Sequence, residues 1–283
     1  MKICILAITW VFSGLLYPFP AMADPVAMVT DLKGDAWHGG DRSLRLNMLH
    51  YFEAPTQVRL APQSTLSVTY FANPVQYVFK GPALLTIETA APRLTEGAPP
   101  DTRRVGPEKG IGGGLTRDQW RRLQQAAIVM RAVRASFVVI SPNQTSVLSP
   151  NIELSWTPVD GVTGYRVMVS DDADKPLADL PTASTTIHLP ESVRLQKGMT
   201  YRWKVDAILP SDTLTAFGVF DVASTDIEQK FAQLRPAPDA ELAAQVYFAT
   251  LLDIEGFAYD ARVEWRRLAK LFPEERAITR RAQ

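Results

Sequence analysis

The sequence predicts a mainly β protein with α appendages: two β domains, a helix between them, and a helical hairpin after the second. Three observations carry that prediction. Apolar and polar residues alternate in short runs across residues 24–95 and again across 136–224, which is the pattern of half-buried antiparallel strands. After residue 225 the apolar spacing changes to that of helices. The 21 prolines gather between these runs rather than inside them, where they mark connections. A chain of 283 residues accommodates two small domains and an appendage. Thirty basic residues balance thirty acidic ones, so no net field draws the chain to nucleic acid or to an anionic membrane.

Residues 1–23 read as a secretory signal peptide. Lys2 provides the positive start, residues 3–16 are almost wholly apolar, and Ala21-Met22-Ala23 precedes Asp24. The apolar run is shorter than the roughly 20 residues that span a bilayer, so no membrane span is expected after cleavage. The single cysteine, Cys4, lies within the signal. The mature chain is then exported yet without disulfides, and its domains must hold by core burial alone. A periplasmic location is expected.

The first domain, 24–95, opens with a strand at 26–30 and a turn at Asp31-Leu32-Lys33-Gly34. Further strands are expected around 44–46, 57–60, 65–71, 76–79 and 83–87. Leu66, Val68 and Tyr70 share one face while Ser67 and Thr69 take the other, which predicts a half-buried strand. Asn73-Pro74 and Lys80-Gly81-Pro82 read as hairpin connections. A β sandwich or roll is the expected result. The stretches Leu32-Lys33-Gly34-Asp35-Ala36, Gln57-Val58-Arg59-Leu60-Ala61-Pro62 and Tyr77-Val78-Phe79-Lys80-Gly81-Pro82 resemble the FecR-type periplasmic domain. That resemblance implies a role in the cell envelope. FecR regulators carry a cytoplasmic segment and a membrane span where this chain has a cleavable signal, so an anti-sigma role is not carried over.

Residues 96–135 read as a Pro/Gly-rich linker followed by a helix. Gly110-Ile111-Gly112 lacks the strand–loop–helix setting and the Gly-Lys-Ser/Thr ending of a phosphate loop, so a linker is the better reading. Thr116 caps the expected helix, with Trp120, Leu123, Ala127 and Met130 at helical spacing. Its arginines read as a solvated face.

In 136–224 the alternation is clearest. Leu154 and Trp156 share a face; so do Tyr165, Val167 and Val169, and Tyr201, Trp203 and Val205. Ile187 and Leu189 point inward and His188 outward. Tyr201, three residues after Gly198, stands where a tyrosine corner is expected. The runs Leu154-Ser155-Trp156-Thr157-Pro158 and Gly164-Tyr165-Arg166-Val167 with Gly198, Tyr201 and Trp203 resemble a fibronectin type III-like domain. This resemblance implies a binding or spacer module, since that fold has no intrinsic chemistry.

Residues 225–283 predict three helices: 225–234, one from 240 to about 255 with Leu242, Val246, Ala249, Leu251 and Leu252 on its apolar side, and 259–271 with Ala261, Trp265, Leu268 and Phe272 in a stripe. Ala249, Gly256, Ala261, Trp265 and Pro273 resemble one tetratricopeptide repeat, with Gln245 departing from the pattern. One repeat cannot bury its own face, so the pair packs on the second domain or offers a face to a partner. Arg276, Arg280 and Arg281 read as a frayed, solvated tail.

No catalytic constellation is legible. His38, His50 and His188 fall in separate segments without metal-ligand spacing, and no Gly-x-Ser-x-Gly elbow occurs. Asp171, Asp172 and Asp174 lack the glycine and terminal glutamate of a calcium loop. No enzyme activity, metal or cofactor is therefore expected. The expected function is protein binding in the cell envelope, as a scaffold or as a sensory module in signalling, with Trp265, Arg262, Arg266 and Trp37 as candidate partner-binding residues. The alternative is binding of peptidoglycan or other carbohydrate through an aromatic platform at Trp37 or Tyr51. A hydrolase built on unpaired carboxylates is a third reading.

Overall fold

The computed structural model describes residues 25–39, 44–105, 137–148 and 151–282. The expected signal peptide and the expected linker helix lie outside the described residues.

Ten strands make the first unit: β1 (Ala27–Lys33), β2 (Ala36–His38), β3 (Leu44–Arg45), β4 (Tyr51–Phe52), β5 (Thr56–Leu60), β6 (Thr65–Tyr70), β7 (Val75–Lys80), β8 (Ala83–Ile87), β9 (Pro92–Glu96) and β10 (Asp101–Arg104). They form two antiparallel sheets, β10-β7-β6-β1-β4 and β3-β2-β5-β8-β9. Ala27, Val29, Val58, Leu66, Val68, Phe79, Leu85 and Ile87 fill the space between them. Three expectations are corrected here. The strand does not turn at Asp31; β1 runs on to Lys33 through a register shift between Val29 and Asp31. The reversal falls at Gly34, where φ is +81° and an added Cβ would lie 2.5 Å from Ser64 Oγ, so glycine is required. The unit also continues past residue 95, because β10 pairs with β7 along its whole length. All four residues of β10 are exposed, so it is held by its ladder and leaves no apolar signature. Finally, β6 is buried on both faces: Ser67 and Thr69 are covered as fully as Leu66 and Val68. Thr69 shares a 3.1 Å hydroxyl hydrogen bond with Thr30, which satisfies both groups in the dry layer.

The second unit has eight strands: β11 (Val139–Ser141), β12 (Thr145–Val147), β13 (Glu153–Trp156), β14 (Gly164–Asp171), β15 (Pro176–Thr182), β16 (Thr186–His188), β17 (Thr200–Ile208) and β18 (Thr213–Val222). The sheets are β11-β13-β16 and β12-β18-β17-β14-β15, with β12 parallel to β18. This is a fibronectin type III-like sandwich. The predicted inward residues Leu154, Trp156, Tyr165, Val167, Val169, Tyr201, Trp203 and Val205 form its core. Trp156 and Trp203 meet at 6.3 Å between ring centroids, and the Trp203 Nε1–H donates to the Pro142 carbonyl at 2.9 Å. The tyrosine corner is present: the Gln196 N–H donates to Tyr201 Oη at 2.6 Å.

Four helices follow: α1 (Thr225–Leu234), α2 (Leu242–Ile254), α3 (Ala258–Leu271) and α4 (Arg276–Ala282). They share one core with both β units, in which Met28, Met48 and Phe71 of the first unit and Ala223 of the second meet Phe231, Val246, Leu252, Phe257 and Trp265. Helix α2 lies against β1 and α3 against β12. That contact of α2 brings Met28 of β1 into the helical core. The hairpin thus packs in cis, and on both β units rather than on the second alone. The expected frayed tail is corrected as well. Residues 276–282 are helical, with Ala277 and Ile278 buried. Arg281 Nη2 donates to Tyr51 Oη at 3.1 Å, and its Nη1 stands 3.6 Å from Asp253 Oδ2.

Candidate functional site

A polar cleft of about 380 Å³ opens where α3 and the end of α1 face the outer surface of β13 and β16. Its size falls in the range of small-ligand sites. Backbone bonds hold its walls in place. Thr145 Oγ1 donates to the Gly256 carbonyl at 2.9 Å, the Leu148 N–H donates to Asp260 Oδ2 at 2.9 Å, and the Glu153 N–H donates to Tyr259 Oη at 2.9 Å. These join the α2–α3 turn and the first turn of α3 to the sandwich, so the cleft is formed before any ligand arrives.

Alternation along β13 and β16 sends Leu154 and Ile187 toward the core and leaves Glu153, Ser155 and His188 on the cleft side. Helical spacing places Arg262 and Arg266 one turn apart on α3, both lining the cleft. The cleft carboxylates are already engaged. Glu153 faces His188 Nε2 at 3.3 Å and Arg266 Nη1 at 3.8 Å. Glu264 pairs with Arg235 and accepts from Arg267 Nε at 2.9 Å. Arg262 differs. Among the described residues no carboxylate lies within ion-pairing distance of its guanidinium. Burial pulls it below its ordinary pKa, and the Arg266 charge acts in the same direction; the more distant Asp253 opposes both. An arginine stays protonated under such shifts, so the result is a half-buried cation whose charge is answered only at a distance.

Ser155, His188 and Glu153 share the residue types of a hydrolytic triad. Their arrangement differs from one: Glu153 meets the imidazole, but the Ser155 hydroxyl donates at 3.4 Å to the Ser141 carbonyl. A nucleophile needs a base within hydrogen-bond reach. The cleft lining combines three arginines, Arg235, Arg262 and Arg266, with three carboxylates, Glu153, Asp260 and Glu264.

The four expected partner-binding residues divide. Arg262 and Arg266 both line the cleft. Trp265, between them in sequence, does not face a partner. It is 2% exposed, and its Nε1–H donates at 2.9 Å to the buried Asp253; its place on the apolar stripe of α3 turned it inward. Trp37 sits half-buried on the first unit, flanked across the sheet by Arg45 and Arg59. It is remote from the cleft lining. Tyr51 offers no sugar platform, because its ring stacks on Phe71 and its hydroxyl accepts from Arg281. Sequence reasoning missed Glu153, His188, Tyr259 and Asp260 as cleft residues, because they lie on three elements well separated along the chain, β13, β16 and α3. It also missed that His38 and His50 meet, at 4.3 Å between ring centroids. Burial, and secondly the His38 charge, pull the His50 pKa down to about 4. Among the described residues no three His, Cys, Asp or Glu side chains are grouped to hold a metal ion, and no helix is long and apolar enough to cross a membrane.

No protein-family model matches the chain, and no curated protein matches it. Among solved structures it is similar to a two-domain fibronectin type III segment of chicken tenascin, with 12% identity over 70% of this chain and 95% of that one, at a TM-score of 0.24. It is similar to the FN1–FN3 domains of chicken CNTN1, with 9% identity over 71% and 64%, at 0.23. A β-1,2-glucanase from Parabacteroides distasonis aligns at 10% identity over 73% and 38%, at 0.21. At such scores none of these carries an argument, and the fibronectin type III-like description rests on strand order and the tyrosine corner.

Proposed function

We propose that the chain is a non-enzymatic, exported protein of the bacterial envelope that binds a protein partner, as a scaffold or as the sensory module of a signalling system. One observation carries this reading: the four helices build a shared core with residues of both β units, and beside it lies a cleft in which Arg262 has its counter-charge, Asp253, only beyond ion-pairing distance. On this reading the first unit is a FecR-type domain, and α2–α3 are a single tetratricopeptide-like hairpin recruited as a wedge. The chain is delivered to the periplasm by cleavage after Ala23.

The test is in-cell crosslinking from a photoreactive residue placed at Val263, which is 49% exposed at the cleft. Capture of one dominant envelope protein supports the reading, and absence of any protein adduct removes it. Periplasmic fractionation with amino-terminal sequencing checks delivery; the expected first residue is Asp24.

Trp37 favours a second reading. Its indole lies on the outer sheet face between two arginines, a surface on which a sugar ring could stack. Retention of the wild type on isolated peptidoglycan and loss of retention in Trp37→Ala would support it.

A further inference from the structure

Resting on the partner-binding reading, we propose that the cleft between α3 and the β13–β16 surface is a carboxylate-binding site, with Arg262 as its anchor and Arg266 as its second donor, and that it takes an acidic peptide segment of the partner. Two like charges one helical turn apart repel each other, and here both face the same concave surface. Arg266 is drawn toward Glu153 only loosely, at 3.8 Å, so it can swing to a ligand without breaking a close pair. Arg262 has no such pair to break. A guanidinium presents several N–H groups in a planar fork that matches a carboxylate. The Ser155 and Tyr259 hydroxyls also line the cleft but are held by the chain itself, Ser155 donating to the Ser141 carbonyl and Tyr259 accepting from the Glu153 N–H. Val263, exposed between the two arginines in sequence, gives an apolar spot beside the charges. A side chain with a carboxylate on a short aliphatic stem, as in glutamate, matches that combination.

The test uses the full mature chain and a fluorescein-labelled decapeptide of alternating glutamate and alanine, titrated by fluorescence anisotropy at low salt. Saturable binding is expected. Arg262→Gln should weaken it about tenfold, the usual effect of losing a charge-assisted hydrogen bond. Arg262→Lys should retain part of the affinity because it keeps the charge without the fork. Arg194→Gln, an exposed position outside the cleft, should change nothing. The thermal unfolding profile of each variant shows that it is folded. Absence of binding by the wild type overturns the proposal. Equal weakening in Arg194→Gln overturns it too, since that would be diffuse attraction. Displacement of the peptide by inorganic phosphate at far lower concentration than by acetate would reassign the cleft to a small oxyanion and overturn the peptide assignment. A partner captured at Val263 in cells with no binding of this peptide would remove the carboxylate assignment while leaving the broader function standing.

Discussion

Helices α2 and α3 are nearly equal in length, 13 and 14 residues, yet they meet their surroundings in different ways. Helix α2 buries eleven residues, on every side, because β1, Phe231 and α3 surround it. Helix α3 buries five along one stripe and leaves its other side to the cleft and to water. A helix that is apolar all round belongs inside a core, and an amphipathic one at its margin. The hairpin therefore bridges the β units with both helices, α2 resting on β1 and α3 on β12, while α3 alone keeps a side open to the cleft.

The largest test of this division lies in the core. Leu252→Ala on α2 and Trp265→Ala on the buried stripe of α3 should each cost about 3–5 kcal/mol in denaturant unfolding, the range for large truncations in packed interiors. Val263→Ser, on the open side of α3, should stay within about 0.5 kcal/mol. Equal losses at the three positions would abolish the distinction. Next comes the ion pair that ties α4 beneath α2. Arg281→Ala leaves buried Asp253 with the Trp265 N–H and the more distant Arg262 charge, and about 1–3 kcal/mol should be lost. Burial already raises the Asp253 pKa despite Arg281, so Asp253→Asn combined with Arg281→Ala should restore part of that loss. A double mutant as unstable as Arg281→Ala alone would show that packing, not charge, makes the join.

A smaller effect should appear on acidification, in the first unit. Native His50 takes up its proton only near pH 4, whereas the unfolded chain does so near 6.5. Between those values the unfolded state holds more protons, so stability rises with pH. It is present in full above about 6.5 and lost as pH falls toward about 4. Thermal midpoints across that window should decline in the wild type and decline less in His50→Gln; parallel curves would exclude His50 as the source. The smallest effect belongs to Arg262→Gln, whose unfolding free energy should stay within about 0.5 kcal/mol of wild type, because it removes a repulsion and no close pair. Coupled with a tenfold loss of peptide binding, that would separate the open side of α3 from its buried stripe.

The sandwich was legible because each of its long strands has one wet face. Leu154, Trp156, Tyr165 and Trp203 announce themselves by alternation with polar neighbours. Helices α1 to α3 were legible from their spacing. Strand β10 was not, since a strand that buries nothing leaves no pattern. Helix α4 was not, because its arginines look solvated until Asp253 and Tyr51 are seen to meet Arg281. The burial of Ser67 and Thr69 on β6 could not be recognised, because polar residues at alternate positions read as a wet face. In the cleft, the spacing of Arg262 and Arg266 was a usable signal. Glu153 and His188 carried none, because only the fold brings them opposite α3.

The bond between Tyr51 and Arg281 spans 230 positions. On a ribosome, or threading through a membrane pore amino end first, the earliest strands emerge long before the helices that cover them. Until the helices arrive, Met28 of β1 and Phe71, just past the end of β6, lack the helical part of their shared core. The first unit can close its own inner core in that interval but cannot finish its surface. A chain interrupted before residue 242 would hold both β domains and α1 and still carry a sticky flank, a ready mark by which a chaperone or a protease could tell an unfinished copy from a finished one.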